Sequence, residues 1–110
     1  MGQLIYDGAL VIQVDDWGLQ HLQAVMITKL RRDESFSFSW DDGDAGVGGD
    51  TARSDEGLPG TIWVSRSSSL YFRFDAKRTA ALNRRWLVDL STAANGSGGL
   101  RLLPEPAAPR

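Results

Sequence analysis

The chain has 110 residues, no cysteine, 42% apolar and 24% charged residues, and a formal charge of −2. One domain of this size buries roughly two-thirds of its unfolded surface around a single core, and the lack of cysteine excludes disulfides, thiolate nucleophiles and cysteine-ligated zinc or iron–sulfur centres. No secretory leader pattern and no apolar run of the roughly 18 residues needed to cross a bilayer is present, so a cytoplasmic protein with no membrane partner is expected.

Residues 3–6 and 9–14 are apolar and flank Asp7-Gly8, a dipeptide suited to a two-residue type I′ turn. With that turn Tyr6 pairs with Ala9. Ile5, Leu10, Ile12 and Val14 then share one face, and Leu4, Tyr6, Ala9 and Val11 the other. Asp15 and Asp16 supply capping oxygens for a helix running to about Asp33, with Leu19, Leu22, Met26 and Leu30 as its buried stripe and Lys29, Arg31 and Arg32 at its negative end. His21, the only imidazole, falls away from most of that stripe on a helical projection, which predicts a solvated position rather than a catalytic base.

Ser35–Trp40 alternates with period two and predicts a strand with Phe36, Phe38 and Trp40 inward. Residues 41–60 hold six acids (Asp41, Asp42, Asp44, Asp50, Asp55, Glu56) against Arg53 alone, with six glycines and no apolar periodicity. A mobile acidic loop is expected there. The remainder of the chain carries eleven basic and eight acidic residues, a mild positive excess. Residues 61–65 and 70–74 read as strands around the turn Arg66–Ser69, with Trp63, Tyr71 and Arg73 outward. Asn83 caps a second helix that buries Trp86, Leu87, Leu90, Ala93 and Ala94 and stops at Asn95-Gly96. Leu100–Leu103 reads as a last strand, and the proline-rich tail 104–110 as frayed. The expected architecture is a single α+β domain over 1–103, order ββαβββαβ, with an antiparallel or mixed sheet and both amphipathic helices on one face.

The run Asp15-Asp16, Leu19, His21-Leu22-Gln23, Val25, Ile27, Lys29–Arg32, Glu34–Phe36 and Ser39-Trp40, followed by Ile62-Trp63, Leu82–Arg84, Trp86-Leu87 and Gly99–Pro106, resembles a family of small actinobacterial proteins of about a hundred residues. Those proteins often carry the name ATP-dependent DNA ligase. The resemblance spans nearly the whole chain outside 41–60, and implies an association with DNA or with a ligase or repair enzyme. Ser65-Arg66-Ser67 stands where that family has a His-Pro-Ser pattern, so no role of that histidine transfers.

The residues do not supply a ligase. Adenylation by the known ATP-dependent ligases uses a lysine nucleophile in a Lys-x-Asp-Gly setting, whereas Lys29 is followed by Leu-Arg-Arg and Lys77 by Arg-Thr-Ala. No phosphate-binding loop, dinucleotide fingerprint or nucleophile elbow is present, and Asp41, Asp42 and Asp44 miss the calcium-loop spacing. The expectation is a non-enzymatic module with no catalytic residue, cofactor or metal. Two surfaces are candidates for binding. The first is the basic segment Arg73, Lys77, Arg78, Arg84 and Arg85. Its last two residues fall in the first turn of a helix, where cations oppose the dipole, and where guanidinium groups and free backbone N–H groups would cradle a DNA phosphate. The second is a sheet face bearing Tyr6, Trp63 and Tyr71 with Leu4, Val11 and Arg73, suited to base stacking, to a homo-oligomer interface, or to covering by the chain's own loop.

Overall fold

The opening hairpin joins β1 (Gly2–Tyr6) to β2 (Leu10–Val14), and its register departs by one residue from the predicted one. The computed structural model of the chain describes residues 2–40, 52–54, 59–77 and 80–107. Asp7 and Gly8 both have positive φ, at 51° and 73°, and the Ala9 N–H donates to the Tyr6 carbonyl at 3.1 Å, as in a type I′ turn. Yet Tyr6 pairs with Leu10, not Ala9, so Ala9 is an extra residue in the connection. A slip of one residue exchanges the faces: Leu4 joins Ile12 and Val14 in the core, all fully buried. Ile5 and Val11 occupy the outer side. The expectation that Leu4 lines an outer face with Val11 is thereby overturned.

The helix α1 (Asp16–Arg31) starts as predicted, with Asp15 as N-cap accepting the Trp17 N–H at 3.1 Å. Asp16 does something else: its Oδ2 accepts the N–H groups of Asp75 and Ala76, both at 3.0 Å, and so fastens the 75–76 segment to the helix. At the far end Asp33 adopts a left-handed φ of 59°, with the Glu34 N–H donating to Lys29 O and the Asp33 N–H to Leu30 O. This is the paired closure of a Schellman motif, usually built on glycine.

Strand β3 (Phe36–Trp40) buries Phe36, Phe38 and Trp40 as its alternation requires. It is the centre of a three-stranded sheet, antiparallel to β5 (Gly60–Val64) and parallel to the two-residue β7 (Leu100–Arg101). Gly60 faces Trp40, and a Cβ at Gly60 would lie 2.5 Å from the indole, so the ring needs the missing side chain. Gly99, with φ 75°, lies so close to Ser37 that any side chain would overlap it.

The other sheet has four strands in the order β4-β2-β1-β6, with β4 at Ala52–Ser54 and β6 at Leu70–Arg73. Two points differ from expectation. The stretch predicted as a loop contributes β4, which pairs antiparallel with β2; a three-residue strand on an open sheet edge needs backbone pairing rather than apolar periodicity. The rest of 41–58 lies outside the described residues. The strands also form two sheets instead of one, because the Ser65–Ser69 turn hands the chain from β5 to β6 in the other sheet. Asp7 braces this turn, its N–H donating to Ser69 O at 2.7 Å and its carboxylate accepting the Ser69 N–H at 2.8 Å.

Helix α2 (Arg84–Asn95) packs on β3 and β7, while α1 packs on β1, and the two helices touch each other. They run the same way: His21 meets Asn83 at the start of α2, and Lys29 hydrogen-bonds Asn95 at its end. A single α+β domain results, with its core between the sheets and the helix pair. Among the described residues no helix is long and apolar enough to cross a membrane.

Candidate functional site

Because α1 meets both a sheet and α2, its buried surface is wider than one stripe. Gly18, His21, Val25 and Lys29 are buried beside Leu19, Leu22 and Met26. His21 is fully buried, which corrects the solvated position expected for it. Its ring sits 4.7 Å from that of Trp17 and 4.5 Å from that of Trp86, between centroids. Nδ1 lies 2.7 Å from the Trp17 carbonyl, which only accepts, so Nδ1 carries the hydrogen. Nε2 then accepts the Asn83 N–H at 2.8 Å. Both ring nitrogens are engaged, and this imidazole holds two helices together.

Asn83 continues the web. Its Oδ1 accepts the N–H groups of Arg85 at 3.1 Å and Trp86 at 3.3 Å, and its Nδ2 donates to Glu105 Oε2 at 3.1 Å and Pro106 O at 2.9 Å. Trp17 Nε1 donates to the same Glu105 oxygen at 2.9 Å, and Trp86 Nε1 to Leu103 O at 3.0 Å. Leu103 and, within the tail predicted to fray, Glu105 and Pro106 are thus docked over the starts of both helices. Proline ends the ladder but not the contacts: side chains satisfy these carbonyls where a strand cannot.

This web changes the candidate phosphate cradle. The backbone N–H groups of Arg85 and Trp86 already bond the Asn83 side chain, and the Glu105 carboxylate occupies a position beside the same helix start. Two of the N–H groups expected to be free there, those of Arg85 and Trp86, are therefore taken. The guanidinium groups remain: Arg84 and Arg85 are exposed, and among the described residues neither joins an ion pair. Arg73 is exposed on β6 opposite Gln3, and Lys77 is exposed beside α1. The basic segment is divided between the α1 edge and the α2 start. Arg78 lies outside the described residues, as do Asp41, Asp42 and Asp44.

The aromatic candidates are divided as well. Trp63, 62% exposed, stands on the three-stranded sheet opposite Ser37, and Tyr71, 59% exposed, on the four-stranded sheet opposite Ile5. Tyr6 is on neither outer face; it packs against the core, and its hydroxyl donates to the Trp63 carbonyl at 2.7 Å, bridging the sheets.

Residue types alone did not reveal a cleft of about 250 Å³ along α1, lined by Gln20, Gln23, Phe74, Ala76 and Lys77. Its wall is the segment that Asp16 fastens to the helix, a contact between residues some sixty positions apart. The signal present in the sequence was the pair of glutamines three residues apart on one helix flank.

No curated protein matches the chain, and no solved structure does. A family model described as a domain of unknown function, DUF7882, matches residues 1–105, nearly the full length, and the chain belongs to that family.

Proposed function

We propose that the domain is a non-catalytic module that binds nucleic acid through phosphate contacts made by Arg84 and Arg85, assisted by Arg73, Lys77 and Arg78, alone or beside a ligase or repair enzyme. One observation carries the reading: two adjacent, exposed arginines without ion-pair partners among the described residues stand in the first turn of α2, where each opposes the helix dipole. Stability alone does not select that placement, whereas a phosphate ligand would offset the cost with charge-assisted hydrogen bonds. The resemblance to proteins carrying a ligase name points the same way. With the Arg85 and Trp86 N–H groups already bonded, the contacts come chiefly from side chains, so the complex is expected to be strongly salt-dependent and weakly sequence-dependent.

Fluorescence anisotropy of labelled single- and double-stranded DNA, titrated at several salt concentrations, tests this. The expected result is affinity falling linearly in log salt, with loss of binding in the Arg84→Glu/Arg85→Glu protein. Unchanged affinity in that variant, or no binding at low salt, overturns the reading.

A second reading, an interaction domain that self-associates as a homo-oligomer, is favoured by the exposure of Trp63 and Tyr71. Sedimentation velocity at high micromolar concentration separates the two: a concentration-dependent dimer abolished by Trp63→Ser and Tyr71→Ser supports self-association, and a strict monomer removes it.

A further inference from the structure

The cleft along α1 combines groups that the web around His21 does not use. Gln20, Gln23 and Asp16 project from the flank of α1 turned well away from α2, since they lie about 140–200° round the helix from Gly18. The opposite wall is Phe74, Ala76 and Lys77. Among the described residues Gln20 Oε1 is buried and has no hydrogen-bond partner, an unfavourable state for an amide oxygen. Turning the amide outward would bring this oxygen to a donor in the cleft and relieve it.

We infer that this cleft is a binding site for a small planar heterocycle that bears an N–H edge and a linked anionic group, the chemistry of a nucleoside monophosphate. Each part has a counterpart. The N–H edge donates to Gln20 Oε1, and the Gln23 carboxamide meets the neighbouring carbonyl or ring nitrogen, as glutamines do on base edges. Phe74 provides the aromatic wall against which the heterocycle lies. The Lys77 ammonium, exposed at the rim, takes the phosphate as a point charge. A cleft of about 250 Å³ admits one ring system and its substituent, not a folded chain. The site shares Lys77 with the proposed phosphate contacts but does not rest on them, because neither Arg84 nor Arg85 lines it.

The test is titration of the full chain with each of the four nucleoside 5′-monophosphates, with inorganic phosphate and unphosphorylated nucleosides as controls, followed by amide-resolved NMR. Saturable shifts of the Gln20 and Gln23 side-chain NH₂ signals are expected with at least one nucleotide. Weakening of about tenfold, equivalent to about 1.4 kcal/mol, is expected in both Gln20→Leu and Lys77→Met. Arg84→Glu/Arg85→Glu should leave the titration unchanged while abolishing DNA binding, so the two readings fail separately. Overlaid backbone spectra of the unliganded variants establish that each is folded. The assignment is overturned if no nucleotide moves those signals at millimolar concentration, if Gln20→Leu binds as the parent does, or if inorganic phosphate binds as tightly as the nucleotides.

Discussion

The backbone N–H of Asn83 donates to His21 Nε2 at 2.8 Å while the Asn83 side chain caps α2, so one residue fixes where the second helix begins and where it lies against the first. His21→Leu keeps the volume between Trp17 and Trp86 but leaves that N–H without an acceptor, at an expected cost of about 1–3 kcal/mol. His21→Gln, with an amide oxygen available to the same N–H, should lose less. Urea unfolding of the three proteins checks the order, and equal stability of His21→Leu and the parent would show that the bond contributes nothing net.

Lys29 is buried to 8% exposure, with its ammonium hydrogen-bonded to Asn95 and 3.0 Å from Glu34 Oε1. The Lys29 hydrogen bond, aided by the charges of Arg32 and Lys29 and opposed by desolvation, holds the Glu34 carboxyl below its ordinary value. A carboxyl whose folded value is depressed contributes stability above its unfolded value, and that contribution disappears as pH falls through the folded one. The parent should therefore lose more stability than Glu34→Gln on acidification through the ordinary carboxylate range and just below it. Parallel pH–stability curves for the two proteins would remove Glu34 from the acid response.

The helices, the strand Phe36–Trp40 and the α+β class were legible because each depends on local periodicity and caps: Asp15 and Asn83 occupy the predicted N-cap positions, and Phe36, Phe38 and Trp40 are buried as their alternation required. What was not legible depends on long-range partners. Ala9 looks like the first residue of a strand until Tyr6 is seen to pair with Leu10. His21 looks solvated until α2 arrives beside it, and Glu105 looks like tail until Trp17 and Asn83 donate to it. The residues carrying the family resemblance include His21, Lys29, Glu34, Asn83, Trp86, Glu105 and Pro106, all members of these hydrogen-bonded links. Much of that pattern therefore encodes how the helices and the C-terminal segment are fastened.

Asp33 closes α1 in a left-handed conformation that an L-residue adopts at a cost. Among the described residues its side chain pairs with the exposed Arg66, 3.7 Å away, a pair of the kind that adds little. Asp33→Gly keeps both backbone bonds of the Schellman closure and should stabilise the domain by about 0.5–1 kcal/mol. A lower thermal midpoint would mean that the Arg66 pair outweighs the backbone relief.

Glu105 Oε2 accepts from Trp17 Nε1 and Asn83 Nδ2 together. Glu105→Ala removes both acceptor contacts and should cost about 1–2 kcal/mol, with a change in tryptophan fluorescence before global unfolding as the segment lifts from Trp17. Glu105→Gln retains an acceptor oxygen and should sit between the two. Identical unfolding curves for Glu105→Ala and the parent would mean that Pro106 and Leu103 hold the segment without it.

Arg84 and Arg85 bring function and stability into opposition. Both stand in the first turn of α2, which contains no acidic residue, and a cation there opposes the partial positive charge of the helix start. Neutralising Arg84→Gln and Arg85→Gln should raise stability by about 0.3–1 kcal/mol per site at low salt, with the gain shrinking as ionic strength rises. The same substitutions should weaken DNA binding, because each removes a phosphate contact and lowers the salt slope by about one. Thermal melts and salt-dependent anisotropy on the same proteins measure both effects. A gain in stability with a loss of affinity identifies the two arginines as residues kept for a ligand at the expense of the fold; a loss of stability would instead assign them a part in holding the start of α2.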